Sequence, residues 1–160
     1  MANKGGLEGI VVADITTSFI DGSIGKLIYS GYTIEDLAEN ATFEEVLFLL
    51  FNVRLPNKEE YEDLRATIAK SAVVADPVLN MMKSLPKDTP AMAVLRTAVS
   101  MLSAYDEDAE DLTDKDVATE KAFRLTGQIT TICAAWMRIA KGEEPVAPRE
   151  DLTLAQNFVY

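Results

Sequence analysis

One stretch of this chain is prone to β structure, and the sequence after it reads as a succession of helices. Val11 to Ile20 is rich in β-branched residues, and Lys26-Leu27-Ile28-Tyr29 is a second β-prone run. Between them, Asp21-Gly22-Ser23-Ile24-Gly25 carries turn chemistry, with two glycines free to take positive φ. Two such runs around a Gly-containing loop read as a hairpin, with strands near 10–20 and 26–30. Gly31 then breaks the pattern. Thr33 is placed to cap the next helix through its hydroxyl, with Asp36 three residues on, near the positive end of the helix dipole.

The helices that follow are well punctuated. Thr42 and Glu45 form a capping box ahead of Phe43–Phe51, whose apolar residues run all round and predict burial on most sides. Asn52 sits near its end, with Pro56 beyond. Asn57 is placed to cap a more polar helix with Tyr61, Leu64, Ile68 and Ala72 on one face. Asp76-Pro77 opens a short helix that Leu85-Pro86 closes, and Thr89-Pro90 repeats the device, because proline suits a first turn whose N–H has no partner. A helix from Ala91 to about Ala104 leads into an acidic stretch, Tyr105 to Asp111. This stretch lacks the glycine and spacing of a calcium hand and reads as a solvated connection. Thr113 and Asp116 resemble a further capping box, opening the longest helical pattern. It runs to Lys141 with Gly142 as its stop, and Gly127 marks a kink or a close crossing. Glu143 to Arg149 is a proline-bearing connection, and Asp151 is placed to cap a last helix. The expected fold class is therefore all-α and multi-helical, with one small N-terminal β-hairpin.

At 160 residues, the chain could make one domain burying roughly 70% of its unfolded surface. Its net charge of −11 argues against nucleic acid and against anionic membrane, since neutralising phosphate takes Lys and Arg. No apolar run approaches the ~20 residues needed to span a bilayer, and no leader pattern opens the chain. Cys133 is the only cysteine, so no intrachain disulfide forms, as fits a reducing, cytoplasmic setting. It lies in the apolar run Ile132-Cys133-Ala134-Ala135-Trp136 and reads as a buried, inert thiol.

The chemistry is defined by absence. There is no histidine, and hence no Ser-His, Cys-His or His-metal constellation. Neither Lys4-Gly5-Gly6 nor Asp21 to Gly25 has the spacing of a phosphate-binding loop. Acidic residues are plentiful, but no pair stands apart, and surface solvation is their default. No position is assigned a catalytic, cofactor-binding or metal-ligating role.

Short motifs in a fixed order carry a resemblance. They are Gly6-Leu7-Glu8-Gly9, Ile20-Asp21-Gly22, Tyr29-Ser30-Gly31-Tyr32, Ile34-Glu35-Asp36-Leu37-Ala38 and Thr42-Phe43-Glu44-Glu45. Further on come Arg54-Leu55-Pro56, Val94-Leu95-Arg96-Thr97-Ala98-Val99-Ser100, Pro148-Arg149-Glu150-Asp151-Leu152 and Asn157-Phe158-Val159-Tyr160. In order and spacing the sequence resembles the bacterial form of the citrate synthase family, which includes the 2-methylcitrate synthases. Three positions depart from the pattern. Ser30 stands where Arg is usual, Asn52-Val53 where an aromatic or His is followed by Gly, and Leu154 where His or Tyr is usual.

The resemblance implies an acyltransferase that condenses acetyl-CoA with oxaloacetate to give citrate and CoA. In such enzymes one Asp acts as base and two His as hydrogen-bond donors or acids, aided by Arg on the carboxylates. Those motifs lie, in family order, beyond Tyr160, so no catalytic residue carries over. Residues 1–160 are accordingly expected to be the N-terminal portion of the large helical domain, inactive alone and binding no cofactor. The pocket that separates acetyl-CoA from propionyl-CoA use is expected outside them. A standalone helical interaction module of the same ancestry is the alternative. The resemblance also implies a homodimer. The residues expected at its interface are Val94, Leu95, Val99 and Leu102 with Phe123, Ile129, Ile132, Trp136 and Ile139.

Overall fold

The structure, a computed structural model, describes residues 10, 11, 13–111 and 113–160. The Gly6–Gly9 motif lies outside the described residues, as does Val12 within the first predicted strand. The chain divides into two compact units, residues 1–57 and 58–160.

The first unit holds a three-stranded antiparallel sheet in the order β1 (Ser18–Asp21), β2 (Lys26–Tyr29), β3 (Tyr32–Thr33). Ser18 faces Tyr29 and Asp21 faces Lys26 in the first pair, and Tyr29 faces Tyr32 in the second. The hairpin stands as predicted, with two corrections. Its first strand begins at Ser18 rather than near residue 10, and a third strand follows where only a break was expected. That third strand exists because Ser30 (φ 45°) and Gly31 (φ 93°) both take positive φ, as the tight hairpin turn matching strand twist requires. In the first turn, Asp21 Oδ1 accepts from the Ser23 N–H at 3.0 Å and from its hydroxyl at 2.6 Å.

Two helices complete the unit, α1 (Ile34–Asn40) and α2 (Phe43–Asn52). Thr33 caps α1 as predicted, and Thr42 with Glu45 closes the capping box of α2. The all-round burial expected of α2 is corrected. Leu49 and Glu44 are buried, but Phe43 and Phe51 stay exposed and the other apolar residues are half-buried. Val53, the α2 C-cap, sits at φ 58°, a left-handed conformation that a β-branched residue occupies under strain. The resemblance puts Gly at this position, and the backbone explains that preference.

The second unit is built on α6 (Lys115–Ala140), about 39 Å long at 1.5 Å per residue. Before it come α3 (Lys58–Ser71), α4 (Asp76–Ser84), α5 (Ala91–Leu102) and a single 3-10 turn, Ser103–Tyr105; α7 (Leu154–Val159) follows. Val74, Val78 and Met82, Val94, Ala98 and Leu102, and Ile132, Ala135, Trp136 and Ile139 interlock as the core. Burying each of the larger side chains contributes about 1.5–3 kcal/mol. Five residues expected at a dimer interface are therefore core: Val94, Leu102, Ile132, Trp136 and Ile139. A 3.6-residue period marks the buried face of a helix, but not whether the neighbour is the same chain or another.

On its other side α6 crosses α3. A Cβ on Gly127 would lie 2.9 Å from the Ile68 carbonyl oxygen and 3.1 Å from Ala72 Cα, so the predicted close crossing is the reason for this glycine. The same face of α6 completes the α3 C-terminal region. The Thr131 hydroxyl donates to the Ala72 carbonyl at 2.8 Å, and Gln128 Nε2 to that of Val73 at 3.2 Å.

Three cap assignments are corrected. Asp114, not Thr113, caps α6 by accepting from the N–H groups of Asp116 and Val117, while the Thr113 hydroxyl donates to Asp111 Oδ1 at 2.9 Å. Thr153 with Gln156, not Asp151, forms the capping box of α7, because Thr153 is the residue directly before Leu154; Asp151, two residues earlier, pairs with Arg149. Pro90 is the α5 N-cap rather than its first helical residue. Gly142 ends α6 as predicted. At φ 81° it lets its own N–H reach the Ile139 carbonyl and the Glu143 N–H reach that of Arg138, which is a Schellman closure.

Candidate functional site

The α6 face that carries Lys121 and Arg124 meets the segment entering it. Together with Val73, Ala75 and the end of α5 they enclose a cleft of about 780 Å³ in the second unit. Val73, Val99, Leu102 and Leu125 supply apolar lining, and Tyr105 to Ala109 form one wall. That wall is the expected solvated connection, with Glu107, Asp108, Glu110 and Asp111 exposed, but it is also tied to α6 through its main chain. The buried Lys121 donates from Nζ to the carbonyls of both Asp108 and Asp111, the latter at 2.6 Å. One turn further on, Arg124 Nη2 lies 2.7 Å from Asp106 Oδ1. Two basic residues at i and i+3 on one helix face thus hold three points of the acidic segment. The Thr113 N–H and hydroxyl hold the Asp111 carboxyl below its ordinary range, with a smaller contribution from Lys121.

Lys121 was missed in the sequence because a lysine in a charged helical stretch reads as solvated. The available signal was its place, three residues before Arg124 and shortly after five carboxylates.

Cys133 is half-buried, and burial pushes its thiol above the ordinary value, away from nucleophilic character. Among the described residues, no group of three His, Cys, Asp or Glu side chains could hold a metal ion. The cleft offers shape, apolar surface and fixed charge, with its two cations committed to the wall. Such an arrangement suits packing or binding rather than proton transfer.

At the far end of α6, the Arg149 guanidinium makes two bonds to the Asp151 carboxylate at 2.5 and 2.9 Å and stacks 5.3 Å from the Tyr160 ring centroid. Those bonds hold Asp151 below its ordinary range. The Asn157 side chain closes the segment. It accepts from the Arg149 N–H and donates to the Arg149 carbonyl, both at 2.8 Å. The Pro148–Leu152 and Asn157–Tyr160 motifs of the resemblance are therefore one hydrogen-bonded turn.

A long helix with shorter helices packed along it, preceded in sequence by a small β-meander, defines the class as a multi-helical protein with one small antiparallel sheet. Residues 6–160 match the family model described as "Citrate synthase, C-terminal domain". The chain belongs to the citrate synthase family. It is 46% identical over 160 residues to the citrate synthase of Haloferax volcanii, covering 98% of this chain and 42% of that protein. The 2-methylcitrate synthase of Mycobacterium tuberculosis is 36% identical, over 98% of this chain and 39% of that protein. Among solved structures, citrate synthase from Pyrobaculum aerophilum superposes with a TM-score of 0.88 at 35% identity, covering 96% of this chain and 40% of that one. The Thermoplasma acidophilum enzyme, solved as a ternary complex with carboxymethyl coenzyme A and oxaloacetate, superposes with a TM-score of 0.88 at 27% identity, with the same coverage. The chain thus spans about two fifths of the length of the relatives it matches. Among the described residues, no helix is long and apolar enough to cross a membrane.

Proposed function

We propose that residues 1–160 are the amino-terminal helical portion of a cytoplasmic citrate synthase, which condenses acetyl-CoA with oxaloacetate to give citrate and CoA. In this reading the segment is scaffold. It supplies the helical framework, while the residues that enolise acetyl-CoA and polarise the ketone belong to other parts of the enzyme. The observation that carries it is a family match over residues 6–160 in a chain that contains no histidine. The higher identity to the Haloferax volcanii citrate synthase favours oxaloacetate with acetyl-CoA over the 2-methylcitrate reaction. Mixing the isolated chain with acetyl-CoA and oxaloacetate and following release of the CoA thiol tests the assignment. No turnover is expected, and activity that copurifies with the chain through two orthogonal columns would refute it.

A second copy of the chain is the proposed partner. With five of the apolar residues first expected at the interface committed to the core, the supporting feature is a different stripe. Leu125, Ile129, Cys133 and Met137 follow one another at four-residue spacing on α6. The first two and Met137 are exposed, Met137 at 57%. Sedimentation velocity should show a plateau at twice 17.5 kDa that Met137→Glu lowers to the monomer without loss of helix. A wild-type monomer at all concentrations would exclude it.

A further inference from the structure

We propose that Tyr105–Asp111 is a strap latched against the cleft by Lys121, with Arg124 as a weaker second catch. Five of these seven residues are acidic: Asp106, Glu107, Asp108, Glu110 and Asp111. At neutral pH their mutual repulsion drives the segment to extend away from the protein. Two cations of α6 oppose it. Lys121 is only 7% exposed, and its ammonium is spent on two strap carbonyls, those of Asp108 and Asp111. Arg124 holds the Asp106 carboxylate, but that pair is partly exposed and hence the weaker contact.

The geometry separates latch from packing. Lys121 binds main-chain carbonyls, so no side-chain identity in the strap is needed for its grip. A carbonyl released from it finds water as soon as the strap lifts. The ammonium has no such freedom in place, since a buried cation that loses its acceptors pays heavily for desolvation. Closed strap and paired ammonium therefore form one cooperative unit. Lifting the strap removes one wall of the cleft and uncovers the apolar lining formed by Val73, Val99, Leu102 and Leu125. The strap thus sets access of apolar groups to this cleft. The device lies wholly within the second unit and does not depend on the enzymatic reading.

Amide hydrogen exchange on the whole chain tests the latch, with Nile red as a neutral apolar probe of the cleft. In Lys121→Met, which keeps the apolar stem and removes the donors, exchange of the amides at 107–111 should rise roughly tenfold to a hundredfold, the loss of one or two charge-assisted hydrogen bonds. The amides of α4 and α5 should keep their protection, and Nile red emission should increase. Lys121→Arg, which retains donors, should stay within a few-fold of wild type. Unchanged exchange at 107–111 in Lys121→Met would overturn the proposal, and so would a rise spread equally over α4 and α5. Should Lys121→Met fail to fold, the wild-type chain decides. The latch requires 107–111 to exchange through a local opening distinct from global unfolding, and one common opening free energy for strap and core would overturn it.

Discussion

Replacing Gly127 by alanine should destabilise the second unit, although alanine is the better helix former. In isolation the change gains about 1 kcal/mol of helix propensity. At this position the new methyl would stand 2.9 Å from the Ile68 carbonyl oxygen and 3.1 Å from Ala72 Cα. Both are backbone atoms of or next to α3, so relief requires α3 to move as a body. Overpacking of this kind costs about 1–3 kcal/mol, and rigid neighbours put the value near the top of that range. Movement of α3 also stretches the bonds from Thr131 to the Ala72 carbonyl and from Gln128 to that of Val73. Two such bonds contribute about 0.5–1.5 kcal/mol each, and partial loss adds about 1 kcal/mol. The net expectation is a loss of about 2–3 kcal/mol, or a fall in Tm of about 4–12 °C for a chain of this length. Urea unfolding followed by far-UV circular dichroism measures it. Ala72→Gly on the Gly127→Ala background should recover part of the loss, because the Ala72 Cβ is itself only 3.3 Å from the added methyl. A Gly127→Ala chain as stable as wild type, or more stable, would show that α3 and α6 do not cross as closely as described.

The remaining expectations concern other parts of the fold. Val53→Asn should raise the urea midpoint by the equivalent of about 0.5–1 kcal/mol, because a left-handed residue costs an L-side chain about 1–2 kcal/mol and Asn tolerates it better; a lower midpoint would mean that the half-exposed valine packs more than it strains. Trp136→Ala should cost about 3–5 kcal/mol, as removal of a large core side chain does, and Trp136→Glu should abolish the helical circular dichroism at every concentration rather than yield a folded monomer. In acid, the turn that links the strap to α6 should loosen only below pH 3.8. The folded-state pKa of Asp111 is depressed by its bonds to Thr113, so its contribution is complete above the unfolded value and disappears as pH falls through the lower, folded one. Exchange of the Thr113 amide that rises already between pH 6 and 5 would contradict this.

Much of the fold was readable along the chain because its signals are local. A capping box needs two residues three apart, so Thr42 with Glu45 marked the start of α2 without knowledge of any neighbour. Gly142 marked the end of α6 because only the backbone of that turn demands positive φ. The hairpin was legible from Asp21 to Gly25 for the same reason. Where residues of capping type cluster the local rule is degenerate: Asp114 follows the expected cap Thr113, and Thr153 lies two residues after the expected cap Asp151. The choice fell to the residue that stands directly before the first helical turn, Asp114 before Lys115 and Thr153 before Leu154, and where that turn begins is a property of the folded chain.

Tertiary structure alone decided the rest. The periodicity of α5 and α6 announced apolar faces, but Trp136 and Met137 are neighbours in sequence and opposite in fate. Which of them is covered depends on where α4 and α5 lie. Gly127 announced a close approach without naming Ala72 as its partner. Lys121 had only a weak sign of burial, its place after the acidic segment, because a lysine goes inside only when carbonyls are positioned to accept its hydrogen bonds, here those of Asp108 and Asp111. The absence of histidine, the single cysteine and the acidic net charge are chemical statements the sequence makes by itself, since composition is independent of folding. The cleft, its strap and its latch came into being only when Asp108, Asp111 and Lys121 were brought together in space.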